Sequence, residues 1–220
     1  AAQTRVHDVT TAEASLTLRY APGESFVNSK QRRIPVSLDA PIFTLTHAMG
    51  FKGVLGGEYS FNRTEASVWK RFWLPSSWGK IDCSIKAGAE WNTVPFPLLI
   101  LPEANLSYIT QRETFNLINN MEFLNDRFAS VSLSYDMNGK LFNRIPLIKN
   151  LKWREMFRVR ALWGTLTDKN NPFKSSNPDL FRFPMRDGKF TSFVMDPKIP
   201  YVEASVGIYN IFKLLHIEYV

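Results

Sequence analysis

Two runs of alternating apolar and polar residues, joined by a basic, aromatic connector, occupy Arg127–Leu166. In Phe128–Met137, Ala129, Val131, Leu133, Tyr135 and Met137 fall on one side, and Phe128, Ser130, Ser132, Ser134 and Asp136 on the other. In Met156–Leu166, Phe157, Val159, Ala161 and Trp163 oppose Arg158, Arg160, Leu162 and Gly164. Successive side chains of a strand point to opposite faces, so a period of two predicts strands rather than a helix. An apolar face backed by hydroxyls and charges suits the half-buried strands of a sandwich or a barrel wall between lipid and water.

The same alternation recurs along the chain. It predicts strands over Glu13–Tyr20, Ile42–Met49, Glu58–Trp73, Lys80–Trp91, Phe115–Leu124, Tyr201–Asn210 and Leu214–Val220, about nine in all with the central pair. Gly50, Gly53, Gly56 and Gly57 predict a sharp turn or bulge, and they lack the Lys-Ser/Thr ending of a phosphate loop. Asn125-Asp126 reads as a tight hairpin turn into the central pair. Asn92–Thr114 reads as a long connection and Thr167–Pro200 as an exposed loop; Thr4–Glu13 reads as a polar lead-in. The Lys80–Trp91 run is longer than the usual strand of a soluble sheet and matches a tilted membrane-spanning strand.

Composition strengthens the membrane alternative. Aromatic residues make up 14% of the 220 residues, with 17 Phe, 7 Tyr and 6 Trp. Membrane barrels place such rings in girdles at both lipid–water boundaries, and Trp69, Phe72, Trp73 and Trp78 bracket one short turn in that manner. No apolar stretch is long enough for a transmembrane helix, which leaves a barrel unaffected. Ala1–Asp8 has neither the basic start nor the apolar stretch of a secretion signal, so any export signal is expected upstream. The net charge of +7 comes without zinc-finger spacing, an aromatic RNA-binding signature or a helix-turn-helix pattern, so no nucleic-acid partner is expected.

Catalytic chemistry finds little footing. His7, His47 and His216 stand alone, without the short His/carboxylate spacing that a catalytic zinc requires. No Gly-x-Ser-x-Gly elbow occurs, and Cys83 falls on the apolar side of its strand as a small hydrophobe. No catalytic, cofactor or metal residue is assigned, and no cofactor is expected. The basic connector stands out instead. Lys140, Arg144, Lys149, Lys152 and Arg154 are candidates for contact with an anionic partner or lipid headgroups, against the plainer reading of a solvated rim.

Several stretches carry a resemblance: FTLTHAMGFKGVLGGEYSFN, VPFPLLILPEANLSY, MEFLNDRFAS, LFNRIPLIKNLKWRE, LWGTLTDKNNP and PYVEASVGIYNIFK. From about Ala14 to Val220 the chain resembles a Gram-negative outer-membrane family whose members join an N-terminal carboxypeptidase-like regulatory domain to a C-terminal β-barrel of unknown function. The order of the last strands is more distantly similar to the surface-antigen superfamily of outer-membrane assembly and translocation barrels. The resemblance implies that the regulatory domain lies outside this chain and that a closing strand follows Val220.

The expected structure is therefore all-β: one domain over residues 1–220, part of an antiparallel transmembrane β-barrel in the cell outer membrane. Ile81, Ile85, Ala87, Val131, Leu133, Val159, Ala161, Ala204 and Val206 are expected to face lipid. Lys86, Glu90, Arg158, Arg160 and Glu203, with Ser132, are expected to face the lumen. The expected function is a non-enzymatic structural, export or assembly-related pore, with outer-membrane lipid and other envelope proteins as partners. A passive channel or receptor barrel for a small solute, and a soluble β-sandwich binding domain, are the alternatives.

Overall fold

The computed structural model describes residues 8–107, 111, 113–174 and 180–220. Eight strands form one antiparallel sheet: β1 (Glu13–Tyr20), β4 (Ile42–Gly50), β5 (Phe61–Trp73), β6 (Lys80–Glu90), β7 (Arg127–Asp136), β8 (Arg154–Thr165), β11 (Tyr201–Ile211) and β12 (Leu215–Tyr219). Each pairs with the next in that order, so the sheet is a meander with β1 and β12 at its edges. Among the described residues no ladder joins those two edges. Two small hairpins lie in the connections, β2 (Phe26–Asn28) with β3 (Arg33–Pro35) and β9 (Met185–Arg186) with β10 (Lys189–Phe190). The only α-helix among the described residues is the short α1, Pro146–Leu151.

Register turns the alternation into two continuous faces. One cross-strand row runs Tyr20–Phe43–Val68–Ile85–Val131–Ala161–Val202 through seven strands, all of them apolar or aromatic. A one-residue step away, the opposite face carries the row Trp69–Ser84–Ser132–Arg160–Glu203. Exposure is the reverse of a soluble core. Leu18, Leu45, Ile85, Leu133, Val159 and Val206 are exposed, while Glu90, Arg158, Arg160 and Glu203 are buried. No second sheet covers the apolar face among the described residues.

The polar face is covered by the chain itself. The described parts of the connections 91–126 and 166–200 fold across it from the same end of the sheet and bring their own apolar residues. Val94, Leu99, Leu124 and Phe183 pack on Phe61 and Leu166; Phe115, Ile118 and Met195 pack on Leu162. Together these two segments form a cover, or plug, over one face of the sheet.

Several sequence expectations need correction here. Phe115–Leu124 is not a strand: only isolated bridges, Ala104 with Phe115 and Phe123 with Phe193, involve it. Its alternation serves the plug, with Phe115, Ile118 and Leu124 turned inward, so the sheet holds eight strands rather than about nine. Asn125-Asp126 makes no hairpin turn, because both residues are buried where the plug enters β7. Thr167–Pro200 is not simply exposed, since Asn170, Phe183, Ser192 and Met195 are buried. Trp69 and Trp73 do not belong to an outward girdle. They share the polar side with Arg71, whose guanidinium carbon lies 5.4 and 5.6 Å from their ring centroids. The first seven residues of the chain, including His7 and the start of the polar lead-in, fall outside the described residues.

Gly79 closes the β5–β6 turn. Its φ is +90°, and a Cβ there would lie 1.8 Å from the Asp136 carbonyl oxygen, so only glycine fits the β5–β6 turn. The glycine-rich 50–57 stretch likewise makes the β4–β5 turn, with Gly53 and Gly56 at positive φ.

Candidate plugged interior

Cross-strand spacing sets charged side chains of the polar face opposite one another. Arg160 of β8 is in register with Glu203 of β11, and their charged groups lie 3.6 Å apart. Arg158 donates to both carboxylate oxygens of Glu218 on β12 at 2.8 and 2.9 Å, and the Ser205 hydroxyl donates to the same carboxylate. On the other flank Arg71 makes a two-pronged contact with Asp82 at 2.6 and 2.9 Å. Charges removed from water need partners; strand register supplies them for Arg160 and Arg71, while Arg158 reaches across β11 to Glu218.

The same wall residues hold the plug. Glu203 accepts backbone N–H bonds from Asn116 and Leu117 at 2.9 and 2.8 Å, and one from the Tyr201 hydroxyl at 2.8 Å. Lys86 reaches Glu103 at 2.9 Å and Glu113 at 2.7 Å. Arg160 donates to the Gln111 carbonyl at 3.2 Å, and Arg63 to the Leu98 carbonyl at 2.5 Å. Glu90 accepts from the N–H groups of Asn62 and Asn92, and stands 3.5 Å from Arg63.

A buried polar knot ties the two halves of the plug together. Asp126 is fully buried and accepts from the Thr167 N–H, the Thr167 hydroxyl and the Asn170 amide. Asn170 in turn accepts from the Val94 N–H at 2.9 Å and donates to the Asn92 carbonyl at 3.2 Å. The Asp126 carbonyl receives the Glu90 N–H at 2.7 Å, which fastens the knot to β6. Gly164 makes room for it, since a Cβ there would meet the Asn125 amide oxygen at 2.3 Å.

Beyond the plug, toward the opposite end of the sheet, the polar face opens into a cavity of about 780 Å³. Trp69, Arg71, Asp82, Asp136, Arg158 and Tyr209 are among its lining residues. Tyr209 donates to Asp136 at 2.6 Å, and Lys80 stands 3.7 Å from the same carboxylate. Among the described residues no group of three His, Cys, Asp or Glu side chains is gathered as a metal would need. His47 bonds the Thr64 hydroxyl at 2.9 Å, and His216 lies 3.6 Å from Glu218.

The five candidate lumen residues, Lys86, Glu90, Arg158, Arg160 and Glu203, thus share the plug-covered face. Only Arg160 and Glu203 pair with each other; the remaining three engage Glu103, Glu113, Arg63 and Glu218. The five connector residues separate by role. Lys140 donates to the Ser76 carbonyl and lies over Trp78, and Arg154 lies over Tyr209. Arg144, Lys149 and Lys152 are exposed. The sequence reading missed Asp126 and Asn170, whose Asn-Asp and Lys-Asn-Asn settings look like ordinary turns. It also missed Glu103 and Glu113, which alternation cannot mark because they lie in an irregular segment.

Comparison with curated proteins and with solved structures returns no match. A family model does match, over residues 1–173, which take in the sheet through β8 and the first half of the plug. The chain belongs to the family of unknown function DUF5686, as its C-terminal domain.

Proposed function

We propose that the eight-stranded sheet is the wall of an outer-membrane β-barrel and that the protein is a non-enzymatic structural, export or assembly-related pore. The supporting observation is the inverted sheet, with aliphatic residues exposed and arginines and glutamates buried behind them. Soluble monomers rarely expose contiguous apolar patches beyond a few hundred Å². An apolar row across seven strands suits hydrocarbon, where every backbone polar group must also be paired in a ladder. The reading as a soluble sandwich lacks the second sheet it requires among the described residues.

The plug favours export or assembly over passive diffusion, because it covers the polar face and is fastened by buried bonds. The resemblance to outer-membrane proteins carrying a carboxypeptidase-like regulatory domain, and more distantly to the surface-antigen barrels, points the same way. Outer-membrane lipid and other envelope proteins are the corresponding partners. Barrels of this kind carry short turns on the periplasmic side. In this reading the turns 74–79 and 212–214 and the connectors 137–153 and 21–41 face the periplasm, and the plug-forming connections enter from outside.

Envelope fractionation and reconstitution of the full-length protein test the proposal. The expected result is recovery with the outer membrane, a heat-modifiable band on unheated gels and little conductance in planar bilayers. Recovery in the soluble fraction would contradict the membrane wall, and a large steady conductance would favour the open channel.

A further inference from the structure

Three connections at one end of the sheet are bound into a single ledge. Lys140 of the connector 137–153 donates to the Ser76 carbonyl at 2.8 Å and lies 5.1 Å from the Trp78 ring centroid, which fixes it to the β5–β6 turn. Asn210 donates to the Lys152 carbonyl at 2.7 Å, and Arg154 stacks over Tyr209, which fixes the connector to the β11–β12 turn. With Lys140 and Arg154 engaged in this way, Arg144, Lys149, Lys152 and Lys213 remain exposed and make no ion pair among the described residues.

The ledge also carries large apolar side chains beside those cations. Leu147 is 83% exposed, Phe212 75% and Leu214 88%. The β11–β12 turn holds Asn210, Phe212 and Lys213 at φ of +65°, +50° and +64°, a conformation that side chains other than glycine and asparagine seldom adopt. A β-bulge between Ile208 and Ile211 accompanies it, and the result is Phe212 and Leu214 held outward on either side of Lys213. These residues lie beyond the apolar row Tyr135–Phe157–Val206–Tyr219 and the pair Ile208–Ile217 that follows it toward the turn. Apolar side chains at the edge of a hydrocarbon face, interleaved with unpaired cations, match the level where acyl chains give way to phosphates.

We infer that this ledge binds the phosphates of anionic phospholipid, with Arg144, Lys149, Lys152 and Lys213 as headgroup contacts and Leu147, Phe212 and Leu214 entering the acyl boundary. The inference rests on the reading of the sheet as a membrane wall. It adds a lipid preference and assigns it to residues on one side of the membrane.

Full-length protein in nanodiscs containing either brominated phosphatidylglycerol or brominated phosphatidylcholine tests it through quenching of tryptophan fluorescence, since Trp78 lies on the ledge. At equal lipid fraction and low salt, brominated phosphatidylglycerol is expected to quench more strongly. The preference should fall about fivefold for each cation removed and vanish in the combined R144Q, K149Q, K152Q and K213Q variant, which still inserts. Equal quenching by the two lipids in inserted wild-type protein would overturn the inference and leave the membrane wall standing. An unchanged preference in the combined variant would do the same. Saturable binding of a polyglutamate peptide, lost in the combined variant and unaccompanied by any lipid preference, would assign the ledge to a protein partner and overturn it too. Failure of both proteins to insert would overturn the membrane wall along with the inference.

Discussion

Arg160 and Glu203 face each other 3.6 Å apart on neighbouring strands, each side chain only 2% exposed, while their chain neighbours Val159, Ala161, Val202 and Ala204 point to the opposite, uncovered side. The pair joins wall to plug, because Glu203 also accepts two backbone N–H groups from the plug segment and Arg160 donates to another of its carbonyls. A buried pair of this kind contributes little net stability over a well-packed apolar pair, and its loss on one side is expensive. Its role here is to fix where the plug sits.

Replacing Glu203 by Ala leaves Arg160 without its carboxylate and strips the acceptor from Asn116 and Leu117. The expected cost is roughly 3–5 kcal/mol, borne by the plug rather than by the strand ladder. Limited proteolysis of the reconstituted full-length protein should show new cleavage near residues 111–118, with the wall still heat-modifiable. Unchanged protection of that segment would mean that the plug is held elsewhere.

The knot at Asp126 predicts an order of effects. Asp126→Ala orphans the Thr167 and Asn170 donors, at about 1–3 kcal/mol for each group left unsatisfied. Thr167→Val removes a single hydroxyl and should cost about 1 kcal/mol. Denaturant unfolding of the two variants should rank them accordingly, and hydrogen exchange should rise first at residues 92–94 and 166–171. Equal stability of both variants and wild type would remove the knot from the account.

Placing Arg at Val131 puts a charge in the centre of the apolar face and should cost on the order of 2–4 kcal/mol if that position lies near the bilayer midplane. Thr46→Arg adds a charge on the polar face, directly opposite Glu65 on the next strand, and should cost less. Folding titrations into phosphatidylcholine vesicles would compare the two. A costlier Thr46→Arg would reverse the assignment of faces.

His47→Ala and His216→Ala should leave the function intact, and purified protein should hold no stoichiometric zinc. His47 bonds Thr64 and His216 neighbours one carboxylate, so neither has the set of ligands that zinc takes. One tightly bound zinc per chain, measured by atomic absorption, would contradict this.

The wall was legible in the sequence because side-chain alternation and strand pairing share the same period. Lys80–Glu90 and Arg127–Asp136 lie within a residue of where their alternation put them, with the same side chains on each face; that Ile85 stands beside Val131 depends on the connection 91–126 folding back, which alternation does not encode. The plug was not legible for the converse reason. Phe115–Leu124 alternates well enough to imitate a strand, yet its apolar residues find partners across an irregular segment rather than in a ladder. The interior charges were half legible: Arg158, Arg160 and Glu203 follow from face parity, whereas Asp126 and Asn170 acquire their roles only when two distant connections meet. Both plug-forming segments leave from one end of the eight-stranded meander, which no local pattern announces.

The central claim, that the uncovered apolar face lies in lipid, is most directly tested by nitroxide accessibility in the full-length protein in vesicles. Single cysteines would replace Val131, Ser132, Leu133, Ser134, Val159 and Ala161 in turn on a Cys83→Ala background. The account predicts high oxygen and low aqueous-reagent accessibility at 131, 133, 159 and 161, with low oxygen accessibility at 132 and 134, a period of two along β7. High aqueous-reagent accessibility at the aliphatic positions, or shielding of them from both reagents by packed protein, would contradict it.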